Sequence, residues 1–195
     1  MKLFKTIVLA AAVIMPVALL NAPAQSADTF TLDKPHSQIS FFIKRMGYTN
    51  IGGWFRKFDG EVMFDANNVA NSQIKATIMT SSIDTGFKKR DDHLRSPSFF
   101  NAKEFPEMTF VSTNVEKTGA KTGKMTGNLT LLGVTKPVTL DVTFNKLAPH
   151  PRNKKVFAGF TATGTLDRTA FGMKFGSPGI SPKVMVRIEA LTQKK

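Results

Sequence analysis

Apolar and polar side chains alternate with a period of two through most of this chain, and that alternation limits the fold more than any other feature. Ile39, Phe41 and Ile43 alternate with Gln38, Ser40 and Phe42, and Val62 and Phe64 continue the pattern up to a turn at Asp65-Ala-Asn-Asn68. Ile74, Ala76 and Ile78 alternate with Gln73, Lys75 and Thr77. Met125, Gly127, Leu129 and Leu131 face away from Lys124, Thr126, Asn128 and Thr130. Val138, Leu140, Val142 and Phe144, then Val156, Ala158, Phe160 and Ala162, then Val184, Val186 and Ile188 repeat the pattern. A period of two sends successive side chains to opposite faces of a pleated strand, and one wet and one apolar face mark antiparallel sheet.

Turns are expected at Lys117-Thr-Gly-Ala120, Leu132-Gly-Val134 and Ala148-Pro-His-Pro-Arg152, where Gly and Pro cluster. The count is about eight strands, at which a closed barrel can hold one small ligand. A packed sandwich without a cavity is the alternative that periodicity leaves open. Strand parity sends Phe41, Ile43, Phe64, Ile78, Phe110, Leu129, Leu131, Val142 and Phe160 inward. Small Ala158 and Gly127 are expected to point inward too, so that a Trp at either would narrow a lumen. There is no internal repeat, linker or second domain.

The N-terminus reads as an export signal. Lys2 and Lys5 form a charged start, Ile7 to Leu20 an apolar run interrupted by Pro16, and Ala22-Pro-Ala24 and Ser26-Ala27 offer small residues for cleavage. This is the layout of a cleaved secretory signal peptide, too short for a membrane span. Residues 1–27 are assigned to it, with cleavage after Ala24 as the alternative, and residues 28–195 to one exported, periplasmic domain. Cysteine is absent, so stability there must come from packing and sheet hydrogen bonds without disulfides or thiolate metal sites.

The net charge is +13. Basic chains invite a nucleic-acid reading through counterion release, but export weighs against it. Anionic lipid headgroups are the better counterpart, with a solvated basic surface as the plain alternative.

Two segments leave the strand rhythm. Phe87 to Arg95 spaces its charges as a helix does, Lys88 to Asp92 and Asp91 to Arg95, with Asp84 or Thr85 as a cap. Asp167 to Ser177, rich in Gly and Phe, reads as a mobile loop or a single helical turn.

Catalytic chemistry finds little support. His36, His93 and His150 stand in separate segments, without the spacing of a zinc site. Gly119 to Met125 echoes a phosphate loop, yet it is one residue short and has Met where a hydroxyl belongs. No nucleophile elbow appears. The cluster Asp91, Asp92, His93, Arg95, Phe99 and Phe100 admits three readings. Asp91 or Asp92 could orient His93 as a base. His93 and Arg95 could hold the polar head of an amphiphile while Phe99 and Phe100 cover its tail. The segment could also be a charged helix locking a lid onto the barrel. No catalytic residue, metal or cofactor is expected. The 17 Phe residues supply apolar area without polar tips, which suits either a greasy tunnel or ordinary core.

Several blocks carry a family resemblance. The run His93-Leu-Arg-Ser96, Phe99-Phe100-Asn-Ala102 and Phe105-Pro to Thr109-Phe110 resembles the central block of the YceI-like proteins. Leu129-Thr-Leu-Leu-Gly-Val-Thr-Lys-Pro-Val138 is similar to their later hairpin, and Gly47-Tyr48 with Gly53-Trp54-Phe55 and Phe58-Asp-Gly60 to their opening. The blocks occur in order from Asp28 to about Leu191. The resemblance implies an all-β fold, a single eight-stranded antiparallel lipocalin-like barrel with one short helical lid segment. It also implies a polyisoprenoid, such as a prenyl quinone or prenyl phosphate, in the lumen. The expected function is a periplasmic carrier, with Tyr48, Trp54 and the His93–Arg95 segment around the entrance. A ligand-free interaction protein of envelope stress or respiratory complexes is the alternative. The expected partners are the lipid, a homodimer mate and an anionic membrane surface, and no nucleic acid. The basic charge is the departure from the family pattern.

Overall fold

The alternating segments form strands that bend rather than stop. The computed structural model describes residues 27–195, so the expected signal segment, apart from Ala27, lies outside the described residues. In chain order the strands are β1 (Asp28–Leu32), β2 (Gln38–Arg45), β3 (Thr49–Phe55), β4 (Phe58–Phe64), β5 (Gln73–Met79) and β6 (Ile83–Asp84). One helix, α1 (Lys88–Arg95), precedes β7 (Glu107–Lys117), β8 (Thr122–Leu131), β9 (Val134–Pro149), β10 (Val156–Asp167) and β11 (Ile180–Lys194).

Eight of these strands close a ring in the order β1-β4-β5-β7-β8-β9-β10-β11, with β11 pairing back onto β1. The remaining three prolong ring members: β2 continues β1 along β11, β3 lies beside β2, and β6 lies beside β3. The barrel is therefore eight bent antiparallel strands, each beside its neighbour in sequence, with one short helix. That is the expected fold class. At the bent end, α1 packs against β6.

The bends have local causes. Pro35 lacks an N–H and sits in a 3₁₀ turn, Lys34–His36, between β1 and β2. The Ser37 hydroxyl bridges the gap, donating to the Asp33 and Leu191 carbonyls (2.7 and 3.2 Å) and accepting from the Leu191 N–H (3.0 Å). A second turn, Thr80–Ser82, separates β5 from β6. There the fully buried Thr80 hydroxyl faces the Phe105 and Pro106 carbonyls at 2.8 and 2.9 Å. In both places a hydroxyl replaces a ladder bond, so the strand turns without stranding a buried polar group.

Two apolar clusters fill the ends of the barrel. At the chain-terminal end Phe30, only 1% exposed, packs with Phe64 and Ala158. Burying one such Phe contributes about 1.5–3 kcal/mol. Toward α1, Phe55, Ile83, Phe99, Leu131 and Phe171 belong to the larger cluster.

Candidate functional site: an apolar cavity under the helix

Between these clusters runs a cavity of about 920 Å³. That is near the top of the range of about 300–1,000 Å³ usual for ligand pockets. All nine residues that parity sends inward, Phe41, Ile43, Phe64, Ile78, Phe110, Leu129, Leu131, Val142 and Phe160, lie in its wall. Ile39, Ile74, Met125, Leu140 and Val186, from the same alternating stretches, join them. The sandwich without a cavity is not what forms.

The buried part of the lumen is apolar by construction. Among the described residues no buried side-chain nitrogen or oxygen lacks a partner. The Ser40 hydroxyl in the wall, for example, donates to the Arg187 carbonyl at 3.0 Å. Where the wall is buried its few polar atoms are already bonded, so there it offers a guest dispersion contact and little else.

Aromatic rings are grouped along the lumen. Phe64, Phe144 and Phe160 pack at the chain-terminal end, with centroids 5.2–5.7 Å apart. Phe41, Phe55 and Phe100 form a second group toward α1. Gly53 makes room for it: a Cβ there would stand 2.5 Å from the Phe41 ring and 2.8 Å from the Thr85 methyl. His93, Phe99 and Phe175 form a third group, each pair 5.0–5.2 Å apart, which joins α1 to the segment before β11.

At the α1 end the exposed Arg45, Phe87, Lys89, His93 and Phe175 belong to the cavity wall and form an entrance. At the other end the exposed Glu116, Lys117, Lys121 and Thr122 of the β7–β8 hairpin also reach the wall. Of the cluster singled out in sequence, His93, Phe99 and Phe100 reach the wall. Arg95 does not. Its guanidinium donates to the Ser81 and Ile83 carbonyls at 2.8 and 2.7 Å and pairs with Asp92 at 3.1 Å, so it ties the helix to the barrel. Tyr48 is 86% exposed in the β2–β3 turn and outside the wall. Trp54 alternates with the inward Gly53 and Phe55, so its indole stands on the outer face beneath the Arg56 guanidinium, 5.0 Å away. The expectation that Tyr48, Trp54 and Arg95 border the entrance is corrected: Trp54 and Arg95 lie elsewhere, and Tyr48 is an exposed turn tip outside the wall.

The helix is held differently from the expected spacing. Lys88 does pair with Asp92, at 2.6 Å, which with the Arg95 contact holds the Asp92 carboxyl below its ordinary pKa. Asp91 faces inward and is buried instead of meeting Arg95, and the N-cap is Phe87 without a side-chain bond. Gly127 and Ala158 are packed rather than lumenal. A Cβ on Gly127 would stand 2.3 Å from the Phe110 ring, and Ala158 is fully buried outside the wall.

Arg168 was not legible as a structural residue. In the 3₁₀ turn Arg168–Phe171 it is 3% exposed, and its guanidinium donates to the carbonyls of Met173, Ile180 and Ser181 at 2.6–2.9 Å. Burial pushes its pKa down from the ordinary arginine value. The segment read as a mobile loop or helical turn is a turn clamped by this fork. Among the described residues no group of three or more His, Asp or Glu is placed to hold a metal.

Comparison with known proteins gives a consistent picture. The sequence profile of the family described as YceI-like domain matches residues 30–191. A UPF0312 protein of Pseudomonas putida is 38% identical over 189 residues, covering 94% of this chain and 97% of its own. The crystal structure of Burkholderia cenocepacia BcnA superposes with a TM-score of 0.75 at 27% identity, over 82% of this chain and 98% of its own. A polyisoprenoid binding domain from Saccharophagus degradans shares the fold, with a TM-score of 0.66 at 13% identity, over 85% and 98%.

Proposed function

The chain belongs to the YceI-like family, and on that premise we propose that it is an exported periplasmic carrier holding one elongated apolar molecule in its barrel. The guest is a polyisoprenoid, a prenyl quinone or prenyl phosphate, and it is bound rather than transformed. The observation that carries this reading is the 920 Å³ cavity with an apolar wall of nine parity-selected side chains. Each methylene moved from water into such a wall contributes about 0.8 kcal/mol. The Saccharophagus degradans domain of the same fold, named for polyisoprenoid binding, supports the choice of guest. His93, Phe99 and Phe100 would meet the guest at the entrance end.

Organic extraction of the protein purified without detergent, followed by mass spectrometry, tests the reading. A prenyl lipid near one per barrel is the expected result. A protein that arrives empty and takes up no prenyl chain would instead be the ligand-free interaction protein. Export rests on Lys2, Lys5 and the apolar run to Leu20, and N-terminal sequencing of the mature protein should begin at Gln25 or Asp28.

A further inference from the structure

The end of the barrel that carries α1 also carries exposed apolar side chains from three separate segments. Met46 and Tyr48 in the β2–β3 turn are 59% and 86% exposed, Phe87 before α1 is 56% exposed, and Phe175 before β11 is 49% exposed. These segments touch one another. The Met46 N–H donates to the Gly179 carbonyl at 2.6 Å, and His93 on α1 meets Phe175 ring to ring at 5.1 Å. Phe87 and Phe175 also belong to the cavity wall, so the apolar rim runs directly into the lumen. Single exposed apolar residues are ordinary, whereas a group of them around the mouth of an apolar cavity marks an interaction surface.

Charge identifies what the surface meets. Segments 44–49, 84–95 and 167–180 hold eight Lys or Arg residues and four Asp. Every one of those carboxylates is already occupied. Asp84 holds Arg56, Asp91 holds Thr85, Asp92 holds Lys88 and Arg95, and Asp167 holds Lys183. The side chains of Arg45, Lys89 and Lys174, in contrast, make no hydrogen bond or ion pair among the described residues. Free cations interleaved with Phe, Tyr and Met are the composition that settles into the headgroup layer of an anionic bilayer. Lys124, Thr126, Asn128 and Thr130 alternate with the inward face of β8. That polar exterior is the reverse of a membrane-spanning barrel, so contact is at the surface and not across it.

We infer that the α1 end docks mouth-down on an anionic phospholipid surface, so that an apolar chain passes between bilayer and lumen without crossing water. This rests on the carrier reading and adds to it the place and orientation of loading.

Flotation with vesicles of phosphatidylcholine containing phosphatidylglycerol, against phosphatidylcholine alone, tests it. The protein should bind the anionic vesicles and lose them in high salt. The pair Lys89→Glu and Lys174→Glu should weaken binding by at least about tenfold. Phe87→Ser with Phe175→Ser should weaken binding too. Arg152→Glu with Lys155→Glu, the same charge change in the turn at the opposite end, should leave binding within about twofold of the parent. Equal losses in the two charge-reversed pairs would overturn the orientation, and no vesicle binding by the parent would overturn docking altogether. Prenyl lipid retained by a protein that ignores vesicles sinks docking and leaves the carrier standing. Oriented vesicle binding by a protein that never holds lipid does the opposite.

Discussion

The backbone N–H and the hydroxyl of Thr85 both donate to one carboxylate oxygen of Asp91, at 2.9 and 2.5 Å. This pair joins the end of β6 to α1 inside the protein, where neither group can turn to water for a partner. Asp91→Ala should therefore destabilise the fold by about 1–3 kcal/mol, because it leaves two buried donors unsatisfied. Asp92→Ala breaks only exposed contacts to Lys88 and Arg95 and should change stability by less than about 1 kcal/mol. Urea unfolding of the two variants makes the comparison, and equal losses would refute the anchoring role.

Filling the lumen should separate binding from folding. Val142 lies in the cavity wall, while Gly127 and Ala158 are packed away from it. Val142→Trp should expel lipid yet keep stability within about 1 kcal/mol of the empty parent, since the ring enters open space. Gly127→Trp should cost more than about 3 kcal/mol, because even its Cβ meets the Phe110 ring and the Val111 carbonyl. Lipid content by extraction and midpoints of chemical unfolding give the two readouts.

Arg168 offers a test of the clamp at the start of β11. Arg168→Met leaves three carbonyls without donors and should cost more than about 3 kcal/mol. Arg168→Lys should recover little of it, because a point ammonium cannot reproduce a planar fork that reaches three acceptors. Faster hydrogen exchange across residues 172–180 in both variants is the accompanying signature.

Acid should unfold the protein through its bonded carboxylates. Backbone N–H groups of Asn67 and Asn68 and the Asn71 amide hold Asp65 low, Gly86 and Arg56 do the same for Asp84, and Thr169 and Lys183 for Asp167. Each has a folded pKa below its unfolded value, so its stabilisation is complete above the unfolded pKa of about 3.9 and fades as pH falls through the folded value. A stability profile flat above about pH 5 and falling below about pH 4 is expected. A loss beginning near pH 6.5 would point to histidine instead.

Much of this architecture is legible in the sequence alone. Parity fixes which side of a strand is dry once one side is buried, and so Phe41, Ile78, Leu129 and Phe160 could be placed by counting in twos. The bends could not, because they arise where Ser37 and Thr80 bond carbonyls distant in sequence. Asp91 and Asp92 are adjacent and chemically alike, and only the direction of the helix face decides which is buried. Arg95 reads from sequence as an entrance residue, and nothing in the spacing singles out Arg168. Each is a fork spent on carbonyls brought close by the folded chain, which no spacing rule encodes. Trp54 was misplaced for a different reason: a motif match carries no parity, whereas the flanking Gly53 and Phe55 would have sent it outward.

The seam of the barrel joins the two ends of the domain, with Phe30, Thr31 and Leu32 beside Lys194, Gln193 and Thr192. Synthesis delivers β11 after the other ten strands, so their inner faces stay open to water until β11 has been made. The container exists only once β11 is seated between β10 and β1. Cargo is therefore taken on by a closed vessel, and deletion of β11 should convert it into an open, self-adhesive sheet.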